Sequence, residues 1–588
     1  VKELLVKFLV WRIRHVKDKN FLLILGGIIG IIAGLAAVLL KLSVHAIQKF
    51  LTQDFDVGYE NYLYLSYPLV GILLTLVVAK FILKEKLGHG ITQILYSISK
   101  KSSIIRGAMM YSRMITSALT VGFGGSVGLE APIVVTGSAI GSNLGRLAHL
   151  DYKKRTLLIG CGAAGAISAI FNSPIAGVIF SIEVILMDVT IAAFIPLLIS
   201  SVAASMVSIV LNQDQILFSF RIQDPFMAID LPYFILLGIV CGVVSVHFTR
   251  MTYAVEGIIK KVKNDYSRAI TGGILLGVII FLFPPIFGEG YNTIKSLLSN
   301  DAEVLNTTLF FGQSSNPLVL ILFIFGVVVI KPVASALTIG SGGSGGIFAP
   351  SLFMGGTAGF VFAETVNLVM GSEALSTSNF VLVGMCGVMS GVMHSPLTAI
   401  FLIAEITSGY ELFVPLMLVS AASFSVVSYF EKHSLYTKHL IEQGDLIKYD
   451  RDLQVLSLIN LKKIVEEDLL QIHPDAKLKE LVNLVKVSKR NIFPVVKDQQ
   501  LMGIITLDDI REIMFDKDAQ ENQAVSSLMH DPPAEVSSME SMQSVMSKFE
   551  ITGAWNLPVI DDGKYVGFVS KSRIFNTYRQ KLIRQDKQ

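Results

Sequence analysis

The chain has 588 residues, 52% of them hydrophobic and only 16% charged, with 49 Lys and Arg set against 46 Asp and Glu for a formal net charge of +3. A mean hydropathy of +0.61 lies outside the range of soluble globular chains, and so small a net charge gives no electrostatic case for nucleic-acid binding. The composition is that of a membrane protein whose charge information sits in its loops.

Residues 1–20 read as a basic amphipathic helix, in which Lys2, Lys7, Arg12, Arg14, Lys17 and Lys19 outweigh Glu3 and Asp18. It lacks an apolar stretch followed by a small-residue cleavage site, so it is expected to be retained, and its charge places this end in the cytoplasm. Weakly charged runs follow, among them Phe21 to Leu40, Tyr62 to Phe81, Leu318 to Ile330 with its flanks, and Leu412 to Tyr429. Each suits the roughly 20 residues that cross a bilayer core, and on the order of ten such stretches are expected. Cys161, Cys241 and Cys386 are scattered in apolar sequence without paired spacing, which reads as buried small residues, not as a disulfide framework or a metal site.

Two stretches inside this apolar sequence are nearly the same: Gly124-Gly125-Ser126-Val127-Gly128-Leu129-Glu130-Ala131-Pro132 and Gly342-Gly343-Ser344-Gly345-Gly346-Ile347-Phe348-Ala349-Pro350. A second pair follows at almost the same offset. Asn172-Ser173-Pro174 leads to Glu183, and His394-Ser395-Pro396 leads to Glu405 with identical spacing. Matching order and offset argue for duplication of a whole half, with halves over about 21–215 and 230–430.

Gly and Pro clusters end helices, and broken backbone at membrane depth is tolerated only inside protein or along an aqueous cavity. Each Gly-rich stretch ends in Ala-Pro before helix-competent sequence, Ile133 to Leu147 and Ser351 to Val361, and a proline fits the first turn of a helix. The glycines are therefore expected to present free amides at helix starts, where roughly half a positive charge suits a monovalent anion. Neither stretch contains Lys or Arg, as expected of an anion path that relies on backbone dipoles.

From Glu431 onward charged residues become frequent and no run is long enough to span a membrane. A linker over 441–467 precedes a repeated unit. Phe493-Pro494-Val495-Val496 leads to Gly503-Ile504-Ile505-Thr506, and Leu557-Pro558-Val559-Ile560 leads with the same spacing to Gly567-Phe568-Val569-Ser570. Short β-prone runs, turn chemistry at Asp562-Gly563 and helical-period stretches at Leu478 to Val487 and Met542 to Phe549 give an α/β reading. This tail resembles a tandem pair of CBS domains, over 468–518 and 524–582. The resemblance implies an adenine-nucleotide site with Thr506 and Asp509 in the first unit and Ser570 in the second, where Arg573 stands in place of the acid. A structural module for dimerisation and trafficking, without ligand, is the alternative.

Over about residues 21–440 the sequence resembles the CLC family of chloride channels and chloride/proton exchangers. Gly88-His89-Gly90-Ile91-Thr92, Gly128-Leu129-Glu130-Ala131-Pro132 and Gly346-Ile347-Phe348-Ala349-Pro350 occupy the places of its three anion-site signatures, and Tyr436 that of a late tyrosine. The resemblance implies an all-α polytopic membrane domain with an inverted-topology repeat and broken helices, followed by the small α/β CBS pair. It also implies a homodimer with one pore per subunit in the cell membrane and both termini cytoplasmic, hence an even number of crossings. Within it the anion is lined by His89, Gly90, Ile91, Ile347, Phe348 and Tyr436, while Gly128, Pro132, Gly346 and Pro350 shape the helix starts.

Glu130 is then a gate that occupies the anion site when ionised and leaves when protonated or displaced, against the simpler reading of a helix-start cap. Phe348, its repeat counterpart, cannot ionise and forms a wall, or is plain core packing. His89 replaces a serine, and its imidazole either faces the anion or turns aside. Thr92, Leu129 and Ala131 depart from the usual residues. Val184 stands where many family exchangers carry an internal proton-accepting glutamate.

The expectation is accordingly a passive chloride channel gated by voltage and pH through Glu130, not an enzyme, with no required cofactor and an adenine nucleotide only as an optional ligand of the CBS pair. A chloride/proton antiporter with another proton route remains open. A CBS-regulated cation transporter would need more intramembrane acids than Glu130, Glu183, Asp188 and Glu405, and a membrane enzyme would need a nucleophile or metal motif that is not evident.

Overall fold

The computed structural model describes residues 12, 14–52, 62–85, 88, 90–186, 191–211, 226–299, 316–371, 374–407, 409–442 and 459–586. Most of the helix expected over residues 1–20, together with His89 and Asp188, lies outside them. The chain divides into Val1–Leu446 and Ile447–Gln588.

The first half of the larger unit comprises α1 (Asp18–Thr52), α2 (Tyr67–Val77), α3 (Gly90–Lys100), α4 (Ser112–Gly122), α5 (Glu130–Leu147), α6 (Tyr152–Phe171), α7 (Pro174–Phe180) and α8 (Ile191–Leu211). The second comprises α9 (Leu231–Ile259), α10 (Asp265–Leu282), α11 (Tyr291–Leu298), α12 (Pro317–Gly340), α13 (Phe348–Met370), α14 (Thr377–Met393), α15 (Pro396–Ile406) and α16 (Phe413–Phe430), after which α17 (Leu435–Glu442) leads toward the tail. Among the described residues eight helices are long and apolar enough to cross a bilayer. Four further apolar helical stretches, Tyr67–Leu83, Pro174–Leu186, Thr377–Met393 and Pro396–Ile406, are shorter. The run from Tyr62 to Phe81 is one such departure from expectation: α2 starts only at Tyr67, with a proline in its first turn, and a π-helical turn over Val78–Leu83 ends it.

The two halves pack alike. Helix α1 lies against α6 and α8, and α9 lies against α14 and α16. The pairs α5–α6 and α13–α14 form close hairpins, because a β-carbon on Gly137 would come within 2.2 Å of the Gly162 carbonyl oxygen, and one on Gly355 within 2.3 Å of that of Gly384. Small residues at such crossings let backbones approach where lipid offers no hydrophobic drive. The short loops that follow α6 and α14, leading into α7 and α15, each turn on a left-handed residue, Asn172 and His394, both with φ 55°.

The halves then exchange caps. Glu183 accepts the amides of Leu397 at 3.2 Å and Thr398 at 2.8 Å, plus the Thr398 hydroxyl at 2.6 Å. Glu405 accepts those of Ile175 at 3.0 Å and Ala176 at 2.8 Å. Each carboxylate thus sits on the positive start of a helix in the other half. The three cysteines are fully buried and free, and broad apolar faces such as Ile235, Leu236, Ile239 and Val243 on α9 are exposed, as lipid contact requires.

In the tail, β1 (Ile492–Lys497) pairs antiparallel with β2 (Gln500–Thr506), and β3 (Asn556–Asp561) pairs with β4 (Lys564–Ser570). Both hairpins slip by a residue at the same place, Val495/Val496 and Val559/Ile560, so the repeat extends to the register. The expected Asp562-Gly563 turn has φ 50° and 75°, and Asp498 and Gln499 take its place in the first copy with φ 50° and 67°. Helices α18 (Leu478–Val487) and α21 (Met542–Thr552) flank the hairpins as their spacing predicts; α19 (Leu507–Ile510), α20 (Lys517–Asn522) and α22 (Lys571–Asp586) complete the unit.

Candidate anion site and its gate

The two Gly-rich stretches meet at the centre of the larger unit. Gly128 donates its amide to the Gly346 carbonyl at 2.9 Å, and Gly346 returns the bond at 2.8 Å. From this bridge α5 begins at Glu130 and α13 at Phe348, with Leu129 and Ile347 as the flanking caps. Pro132 and Pro350 lie in the first turns, where a missing amide costs no bond. The first-turn amides of both helices, Phe348 and Ala349 included, have no partner within their own helix.

Glu130 is 1% exposed, and its carboxylate lies against its own amide and that of Ala349. Tyr291 donates its hydroxyl to Glu130 Oε1 at 2.5 Å, while Oε2 has no hydrogen-bond partner among the described residues. Gly128 is required for this seat, since a β-carbon there would lie 2.0 Å from Glu130 Oε2. Ile347 is 2% exposed. The fully buried Phe348 ring stacks on Phe171 with centroids 5.3 Å apart and meets Phe180 edge-on at 6.2 Å. The ring is thus held in an aromatic cluster of the first half.

The first signature and the late tyrosine meet at a third corner. Thr92 donates its hydroxyl to the Tyr436 carbonyl at 3.0 Å, joining the start of α3 to that of α17. Gly90 and Ile91 are buried there. The Tyr436 hydroxyl is buried without a hydrogen-bond partner among the described residues, and Glu130 is within its electrostatic reach. A phenol donor in that condition fits an anion as its acceptor. Buried Arg113 braces the start of α3 through Gln93 at 2.7 Å and the Gly88 carbonyl at 3.4 Å.

Val184 and Glu183 lie in a π-helical turn, Ser181–Leu186, that follows α7. Together with Leu95, His394, Lys432 and Tyr436 they border a cavity of about 180 Å³. Glu183 caps α15, and the position beside it at this cavity is a valine.

Sequence reasoning missed a group beside Glu130. Glu289 and Tyr291 stand in Gly288-Glu289-Gly290-Tyr291, and Glu289 Oε1 accepts the Leu129 amide at 3.2 Å. Fully buried Lys331 donates to Ser126 Oγ at 2.9 Å and to the Ile286 and Gly288 carbonyls at 3.4 Å each. An acid bracketed by glycines after Pro284-Pro285, inside apolar sequence, was the available signal.

In the tail, Asp509 Oδ2 accepts the Thr506 amide at 2.6 Å and hydroxyl at 2.7 Å, and His530 Nε2 lies 3.2 Å away. Partial burial opposes ionisation of this carboxyl, but the Thr506 bonds and His530 outweigh it and hold it below the usual aspartate range. Ser570 is 4% exposed; it donates to Glu466 at 3.0 Å and accepts the Arg573 amide at 3.2 Å. Thr506 and Asp509 are thus adjacent, and the Ser570 hydroxyl is bound inside the protein.

Comparison with known proteins follows the same division. A family model described as voltage gated chloride channel matches residues 70–428, and the CBS domain model matches 461–516 and 525–579. The chain is 30% identical over 423 residues to chloride channel protein CLC-f of Arabidopsis thaliana, covering 67% of this chain and 52% of that protein. It is 27% identical over 433 residues to the H(+)/Cl(-) exchange transporter ClcA of Vibrio parahaemolyticus, covering 71% and 89%. The chain spans little more than half the length of its Arabidopsis relatives. Among solved structures, a slow cyanobacterial Cl-/H+ antiporter superposes with a TM-score of 0.63 at 22% identity, covering 73% of this chain and 98% of that one. A eukaryotic CLC transporter gives 0.60 at 18% identity over 94% and 97%.

Proposed function

We propose that this chain, which belongs to the voltage gated chloride channel family and carries two CBS domains, is a passive chloride channel gated by Glu130. It is an integral membrane protein of an ion-transporting family, and its chemistry is binding and release of an anion, not catalysis. The observation that carries the reading is the seat of Glu130: a carboxylate against the helix-start amides, at the bridge between the halves. Ionised, it competes with chloride for those amides; neutral, it yields them. A charge moving within the membrane field also makes the gate respond to voltage.

Chloride would meet the amides of Ile347 and Phe348 from one half, the Gly90–Ile91 segment with His89 from another, and the Tyr436 hydroxyl. Val184 favours passive conduction, because valine cannot carry a proton. The cavity beside it favours a second reading, a chloride/proton antiporter, since His394 borders it and imidazole can carry a proton. In planar bilayers with a salt gradient, current through the purified protein is expected to reverse at the chloride equilibrium potential. Reversal at the potassium potential would leave the cation-transporter reading in its place.

The protein further acts as a homodimer in the cell membrane, one pore per subunit, with N-terminus and tail in the cytoplasm. Thr506 and Asp509 offer a hydroxyl and a carboxylate for a nucleotide ribose, and the CBS pair senses an adenine nucleotide through them. ATP, ADP or AMP at 100 times its dissociation constant stabilises the tail by about 2.7 kcal/mol. Its thermal unfolding should rise accordingly, and Asp509→Ala should remove the shift. No shift with any of the three would leave the tail a structural module.

A further inference from the structure

The gate is surrounded by ionisable groups from elements outside the three anion signatures. Tyr291, the first residue of α11, bonds Glu130 Oε1 at 2.5 Å. Glu289, from the loop before α11, takes the amide of Leu129, the residue directly ahead of the gate. Lys331 of α12 holds the same loop by its carbonyls and, through Ser126, the Gly-rich stretch. Lys41 of α1 donates to the Ile170 carbonyl and lies within electrostatic reach of Glu130 and Glu289. Tyr436 of α17 faces Glu130 as well. His89, ahead of α3, lies outside the described residues.

The loop is built to hold this arrangement. Gly288 and Gly290 take φ 62° and 86°, left-handed values that L side chains rarely adopt. A β-carbon on Gly290 would lie 2.5 Å from the Phe353 ring. Glu289 is half-buried, whereas Glu130 is 1% exposed. Helix α11 packs on α13 and α14.

We propose that Tyr291 latches the Glu130 carboxylate among the helix-start amides, and that Glu289, balanced by Lys331 and Lys41, sets the pH at which the latch releases. The inference rests on Glu130 being the gate. A phenol hydroxyl bonds an ionised carboxylate more strongly than a neutral one, so the latch holds the closed, charged form and weakens when Glu130 takes a proton. The negative charge of Glu289 makes a second negative charge next to it costly at low dielectric, and the two lysines offset that cost. Tyr291 and Glu289 are positioning residues: they act on the anion through Glu130.

The test is chloride efflux as a function of pH from liposomes containing the full chain, for wild type, Glu130→Gln, Tyr291→Phe, Glu289→Gln, Lys331→Met and the Glu130→Gln/Tyr291→Phe pair. Tyr291→Phe should raise efflux at neutral pH about tenfold and move the pH midpoint toward neutrality. Glu289→Gln should move that midpoint about one unit toward acid, and Lys331→Met should move it the opposite way. In the Glu130→Gln background, Tyr291→Phe should add nothing. The latch is overturned if Tyr291→Phe and Glu289→Gln both titrate like wild type, or if Tyr291→Phe raises efflux equally without Glu130, which would make the ring a mere obstruction. Should Glu289→Gln fail to assemble, the Lys331→Met shift carries the same test with opposite sign, and no shift there overturns the proposal. If efflux in Glu130→Gln keeps its pH dependence, the gate reading itself fails. If that dependence is lost while the other variants are silent, only the latch fails.

Discussion

Glu130→Gln should conduct chloride equally well at neutral and acidic pH, and at neutral pH about tenfold faster than wild type, in which flux rises only on acidification. A 1% exposed carboxylate, bonded by Tyr291 at 2.5 Å and facing the helix-start amides of Ala349 and of its own residue, occupies the ground a chloride ion needs. Hydrogen bonds to a charged acceptor contribute about 1.5–3 kcal/mol each, against about 1 for neutral pairs. The neutral amide of Gln forfeits that difference, and a tenfold gain in chloride occupancy corresponds to about 1.4 kcal/mol. Gln also has no proton to gain in the working range, so the pH response should vanish with the charge. Efflux from liposomes at two pH values measures both effects, and an unchanged pH profile would reduce Glu130 to a helix-start cap.

Glu183→Ala is expected to destabilise the membrane unit by about 3 kcal/mol, with Glu405→Ala close behind. Removing the Glu183 carboxylate leaves two amides at the start of α15 and the Thr398 hydroxyl without acceptors. Individual interhelical bonds in membranes average only about 0.6 kcal/mol. Here three donors converge on one acid at a helix start, where charge and dipole add. Glu183→Gln keeps an oxygen for Thr398 and should lose about a third as much. Thermal unfolding in detergent tests the series. If Glu183→Gln unfolds like wild type but changes proton movement, Glu183 carries protons and its capping role is secondary.

Much of this architecture was legible because it occurs twice. Gly128 and Gly346 lie in matched stretches, and the structure joins them by reciprocal hydrogen bonds. Glu183 and Glu405 were recognisable as a pair from spacing, but spacing cannot tell which helix an acid will cap; the swap across halves follows only from the packing of α7 on α15. The hairpins of the tail followed from the recurrence of Phe493-Pro494 and Leu557-Pro558, and their bulges recur with them.

What occurs once was harder to read. Gly288-Glu289-Gly290-Tyr291 shares only its glycines with Gly88-His89-Gly90-Ile91 of the other half, so the match was too weak to draw attention to it, and its acid reaches the residue ahead of Glu130 through a loop. Lys331 is hidden in the apolar run of α12. Its place is that of Arg113 in α4, each the same distance ahead of its bridging glycine, and each donates to the first glycine carbonyl of a Gly-x-Gly segment, Arg113 to Gly88 and Lys331 to Gly288. The Tyr62 to Phe81 run is apolar throughout, and nothing in its hydropathy marks the π-helical turn that ends α2.

The central claim is a passive chloride path gated by one carboxylate. It is tested most directly by the reversal potential of the purified protein in bilayers when a proton gradient is added to a fixed chloride gradient. Passive conduction predicts reversal that stays at the chloride equilibrium potential whatever the proton gradient. Displacement of reversal toward the proton potential would contradict it, and would make the protein an antiporter that carries protons past Val184 by another route.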